Sequence, residues 1–171
     1  MRYGHQYVRR IALSGLLVAI MLILGFIESK LPNPVPVPGI KLGISNGVLL
    51  FALYLMDFKA AIVLMLLKVG LSGLLFGHPL TMLFAAAGGI LSLLVMILLS
   101  RDKQISIIVV SMAGAVFHNV GQIIAAMLVM SEVAPGVMLK YLAVLMAVGL
   151  VTGSLTGVLA KAVIDRLRGH V

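Results

Sequence analysis

Six apolar stretches divide this 171-residue sequence, and the breaks between them are charged or carry proline. A soluble fold could bury such stretches only beneath a large polar shell, and soluble chains are typically about 25% charged. Here 62% of residues are hydrophobic and 11% charged, with 13 basic and 5 acidic side chains. That excludes an ordinary soluble enzyme. Disorder is excluded as well, because it demands low hydrophobicity. In lipid a backbone must satisfy its own hydrogen bonds, which helices do. The sequence therefore predicts an all-α integral membrane protein.

The spacing predicts six transmembrane helices over about 11–28, 41–56, 60–77, 80–99, 105–130 and 139–164. Six spans of about 20 residues account for most of the chain, so a single domain over 1–171 is expected. The second helix is short enough to be tilted or only partly spanning. The first follows Arg9-Arg10. Its apolar run exceeds the ~7–15 residues of a signal-peptide core, so it reads as a retained helix. After it, Pro32, Pro34, Pro36 and Pro38 stand at every second position. Proline fixes φ and disfavours helix before it, so this piece is expected to be extended.

Basic residues favour loops on the cytoplasmic side. With the N-terminus inside, that side carries Arg2, Arg9, Arg10, Lys59, Arg101, Lys103, Lys161, Arg166 and Arg168. The opposite side carries Lys30, Lys41 and Lys140. Both termini are thus expected to be cytoplasmic, in the inner membrane of a bacterium. The net charge of +8 reads as a topology signal. Nucleic acid is not expected as a partner, since no basic patch is interleaved with aromatics.

Ionisable residues within spans are expensive and by default suggest function. Lys68 falls halfway along the third helix. His118 and Gln122 share one face of the fifth, with Asn119 beside them and Ser111 and Ala115 extending that face. Glu28 and Lys30 close the first helix, while Lys41 and Asn46 open the second. Solvated loop charges would explain Lys30 and Lys41 equally well. A polar cluster joining helices would explain His118, Asn119 and Gln122, at roughly 1 kcal/mol per bond. The substrate-binding reading takes Glu28, Lys41, Asn46, Lys68, His118, Asn119 and Gln122 as lining an outward cavity lidded by the proline segment. Basic and amide groups there favour an anionic or hydrogen-bond-rich small molecule. Glu28 or that molecule would supply the counter-charge of Lys68. His118 is a candidate proton relay, because histidine titrates near neutrality.

Small residues four apart let helices approach closely. Gly73 and Gly77, and Gly149, Gly153 and Gly157, read as internal packing faces. Ala12, Gly15 and Ala19 on the first helix read as a face open to a partner. No G-x-x-x-x-G-K-[ST] run, no H-E-x-x-H and no G-x-S-x-G element occurs. The absence of cysteine removes thiolate sites. No catalytic residue, metal or cofactor is expected, and uphill transport would need an energised partner or an ion gradient.

Specific segments resemble a known family. They are Glu28-Ser29 with Pro36-Val37-Pro38-Gly39-Ile40-Lys41-Leu42-Gly43-Ile44-Ser45-Asn46, then Leu71 to Gly77, Phe117-His118-Asn119-Val120-Gly121-Gln122, and Thr152 to Gly157. Together they are similar to the Gx transporters, also labelled heptaprenyl diphosphate synthase component I. That family in turn is similar to the substrate-binding S components of energy-coupling factor (ECF) vitamin transporters. The resemblance implies a six-helix bundle with both termini inside. It also implies separate ATPase and transmembrane coupling subunits, the latter docking on an alanine-x-x-x-alanine face of the first helix. This sequence has Gly15-x-x-x-Ala19 there, with Ala12 upstream. Prenyl diphosphate synthases hold Mg²⁺ through aspartate-rich motifs, and no paired aspartates occur here. Two readings follow: a substrate-capture subunit of an ECF-like importer, or a non-catalytic membrane accessory of isoprenoid or quinone metabolism that binds a prenyl diphosphate. A self-sufficient ion-coupled carrier is a third, resting on His118 alone.

Overall fold

The structure is a computed structural model and describes residues 2–31, 40–130 and 135–168. It is helical throughout, with no strand among those residues. The helices are α1 (Arg2–Lys30), α2 (Leu49–Leu55), α3 (Phe58–Phe76), α4 (Pro79–Ser100), α5 (Ile107–Val129) and α6 (Pro135–Arg168). Five segments are long and apolar enough to cross a membrane: Tyr7–Lys30, Phe58–Leu75, Pro79–Ser100, Ile107–Val129 and Gly136–Leu167. The second helix departs from its expected length. Residues 40–43 are not helical, Ile44–Val48 form a 3₁₀ turn, and α2 is only 7 residues long. At about 2.0 Å per residue for the 3₁₀ turn and 1.5 Å for α2, Ile44–Leu55 rise about 20 Å, too little to span alone.

Local chemistry sets the helix ends. Asp57 caps α3, its carboxylate accepting the Ala60 N–H at 2.7 Å. Ser106 caps α5 through the Val109 N–H at 3.3 Å. Pro79 opens α4 where its missing N–H does no harm, and His78 before it is extended. Asp57 also accepts from Arg10 at 2.7 Å, so the start of α1 and the start of α3 lie at the same end of the bundle.

Helices α4, α5 and α6 form a tightly packed antiparallel layer. A methyl group at Gly121 would stand 2.7 Å from the Ala87 carbonyl oxygen of α4. Gly149, Gly153 and Gly157 bring α6 onto Ala115, Met112 and Ile108 of α5. In lipid such contact is what holds helices together. Gly73 likewise faces Met82 of α4. The α6 stripe and Gly73 are internal packing faces, whereas Gly77 ends α3 and a methyl group on it would meet that helix's own Gly73. Ala12, Gly15 and Ala19 are exposed, and nothing lies within 4 Å of a methyl group at Gly15.

Two apolar clusters form. One gathers Met21, Leu49, Leu50, Leu64, Leu93 and Ile164, among others. The second gathers Ile40, Phe84, Ile123, Met138 and Leu145 toward the opposite end. Lys68, Asn46 and His118 are buried as well. The outer surface is apolar, with Leu74 and Leu128 80% and 79% exposed, as a lipid-facing surface requires.

Gly121→Ala is expected to lower thermal stability in detergent by about 1–3 kcal/mol, the cost of overpacking against backbone. Gly15→Ala should leave it unchanged or slightly raised. The Asp57 carboxyl is held below its usual range, first by the Ala60 N–H and then by Arg10. Its contribution is therefore present above a pH of about 3.9 and lost as pH falls further. Asp57→Ala should cost about 1 kcal/mol at neutral pH. The gap to wild type should close in acid, as followed by circular dichroism melts.

Candidate functional site

The chain between α1 and α2 enters the bundle before it becomes helical, so its backbone needs partners there. Two side chains from different helices provide them, and a third ties the segment to α3 and α5. Glu28, in the last turn of α1, accepts the Gly43 N–H through Oε1. Gln122 of α5 pairs with both backbone groups of Lys41, accepting its N–H at 2.9 Å and donating to its carbonyl at 3.0 Å. Asn46, in the 3₁₀ turn, lies between α3 and α5. Lys68 Nζ donates to Asn46 Oδ1 at 2.6 Å, and the Asn46 amide nitrogen is 2.7 Å from His118 Nδ1.

That chain of bonds assigns the imidazole. A lysine can only donate, so the Asn46 oxygen faces Lys68 and its NH₂ faces His118. His118 Nδ1 is thus an acceptor, and the ring is neutral with its proton on Nε2. Close approach of glycines makes room for it. Gly43 has φ +81°, a conformation natural to glycine. A methyl group there would stand 2.6 Å from His118 Cδ2. A methyl group at Gly88 of α4 would stand 2.7 Å from His118 Nδ1.

Glu28, Lys41, Ser45, Lys68, His118 and Gln122 line one cavity of about 370 Å³, its mouth included. The space is narrow, with room for about one water molecule. Glu28, Lys68, His118 and Gln122 are all buried. Burial holds the Lys41 ammonium below its ordinary value, and the nearby Glu28 carboxylate opposes that shift.

Six of the residues singled out in the sequence therefore meet: Glu28, Lys41, Asn46, Lys68, His118 and Gln122. Asn119 points elsewhere, because consecutive helical residues diverge by about 100°. It donates to the Leu145 carbonyl of α6 at 2.6 Å. Lys68 takes Asn46 as its neighbour, and Glu28 is not within 4 Å of it; among the described residues the one ion pair is Arg10–Asp57. The proline-bearing lid, 32–39, lies outside the described residues, as does Glu132 in the turn before α6. Ser111 reaches α6, 3.0 Å from Thr156 Oγ1. With Ser92, Thr152 and Asn46 it lines a second polar cavity of about 260 Å³, mouth included. Sequence reading missed that cavity and the roles of Gly43 and Gly88. The glycines at both ends of the Gly39-Ile40-Lys41-Leu42-Gly43 sequence were the available signal for Gly43.

A multi-pass helical membrane protein with a buried, charged polar cavity is the class that this fold and site define. The chain belongs to the family described as heptaprenyl diphosphate synthase component I, whose family model matches residues 17–163. Among curated proteins and among solved structures, nothing matches it.

Asn46→Leu would leave the Lys68 ammonium buried without its acceptor. We expect a loss of about 2–3 kcal/mol in thermal unfolding. Adding Lys68→Met should recover most of that loss, because it removes the stranded charge.

Proposed function

We propose that this chain is the substrate-binding membrane subunit of an ECF-like importer. It takes a small anionic or hydrogen-bond-rich molecule from the outer face of a bacterial cytoplasmic membrane. The observation that carries this reading is the cavity lined by Glu28, Lys41 and Lys68, with Glu28 and Lys68 buried and Lys41 half-buried. Uncompensated charge inside a bundle is expensive and is kept where it meets a ligand. Lys41, Lys68, His118 and Glu28 bind, Gln122 holds the Lys41 backbone, Asn46 orients Lys68 and His118, and Asn119 supports α5 from the α6 side. The proline-bearing connection acts as the lid.

The chain is not itself catalytic and holds no nucleotide site, since its sequence has no P-loop. Separate ATPase and transmembrane coupling subunits supply the energy. They dock on Ala12, Gly15 and Ala19, where α1 is exposed and flat. Both termini are cytoplasmic, as the distribution of basic residues favours. The family description, which names a component of a larger system, agrees with a subunit that works with others.

The same description favours a second reading, a non-catalytic accessory that binds a prenyl diphosphate. Lysines buried at a cavity also suit a diphosphate.

Affinity purification of the tagged chain from its own membranes distinguishes the two. The importer reading expects an ATPase and a second membrane subunit to co-purify. Gly15→Leu with Ala19→Leu should reduce their recovery severalfold without changing the melting temperature. If no ATPase is recovered, and Lys68→Ala changes isoprenoid products while import is intact, the accessory reading replaces it.

A further inference from the structure

We infer that the molecule accepted by this cavity is bipolar: net anionic, with an N–H or ammonium group at one end that Glu28 receives. This rests on the reading of the cavity as a ligand site and narrows the ligand to a chemical class. Two cations and one carboxylate line the same space, Lys41 and Lys68 with Glu28. Their formal sum is +1, which a net charge of −1 on the ligand neutralises.

The hydrogen-bonding directions are equally specific. Lys68 is donor-only, and His118 offers its Nε2 proton because Nδ1 accepts from Asn46. The Gln122 amide is engaged at both its atoms by the Lys41 backbone. Glu28 is the charged acceptor of the cavity. Its Oε1 takes the Gly43 N–H, while its Oε2 is buried and closes no hydrogen bond, although the Ile44 N–H and the Lys68 and Lys41 ammonium groups act on the carboxylate from nearby. The residue as a whole is only 5% exposed. A buried carboxylate oxygen without a donor is costly, and a donor on the ligand relieves it. A wholly anionic molecule, such as a diphosphate, would instead bring like charge against Oε2.

Glu28→Gln tests this with a change of sign. The glutamine keeps a carbonyl oxygen for the Gly43 N–H and replaces the unpartnered acceptor with an NH₂ donor. The probe is the small-molecule extract of the cells in which the protein is native. It is passed over the purified full chain, and the retained mass is read by native mass spectrometry. Wild-type protein is expected to retain a molecule bearing both an acidic group and an N–H group. E28Q should lower its occupancy at least tenfold with the melting temperature unchanged. Inorganic diphosphate, as a purely anionic probe, should bind E28Q better than wild type. A retained molecule that is wholly anionic, or one whose occupancy E28Q leaves unchanged or raises, overturns the bipolar class and leaves the ligand-site reading standing. No retained mass on wild type overturns that reading, and this inference with it. Should E28Q fail to fold, the chemical identity of the wild-type mass decides.

Discussion

Backbone that leaves the helix inside an apolar bundle must find hydrogen-bond partners, since lipid and packed side chains offer none. Residues 40–43 are such backbone, and the rest of the site follows from that. Glu28 and Gln122 bond to the main chain there, and Asn46, just beyond, ties the segment to Lys68 and His118. Glu28, Lys68, His118 and Gln122 also line the cavity. Structural satisfaction and recognition chemistry are thus in the same few side chains. Any movement that opens the cavity must exchange these bonds for others.

That arrangement also explains where the bundle is rigid and where it can move. α4, α5 and α6 meet backbone to backbone at glycines, which leaves no slack for sliding. α1 and the segment after it are held by a few polar bonds and by the apolar cluster around Met21 and Leu49. A rigid half thus carries His118 and Gln122, and a more separable half carries Glu28, Lys41 and Asn46. The cavity lies at their junction, a usual place for a site between helices.

Much of this was legible in the sequence, because an apolar chain makes each polar residue conspicuous. Lys68, His118 and Gln122 stood out by interrupting spans. Glu28, Lys41 and Asn46 stood out by flanking a break. Asn119 was grouped with them by adjacency, whereas the helical turn directs it to Leu145. The short α2 was visible as a short apolar stretch, but its entry into the bundle as a non-helical segment was not. Gly43 and Gly88 escaped notice among the 18 glycines, since nothing local tells a glycine facing an imidazole from one facing lipid.

Composition and periodicity by themselves determined that the chain is a helical membrane protein, where five of its spans fall and which residues are too polar to be there by accident. These are properties of single segments measured against lipid, so they need no knowledge of neighbours. Only the tertiary structure decided which polar residues meet, that Lys68 rests on Asn46 while Glu28 keeps an oxygen unengaged, and that His118 is held as an acceptor. Those outcomes depend on distances between α1, α3, α5 and the segment before α2. They are fixed by how closely glycine faces let helices approach, a quantity set by pairs of segments together.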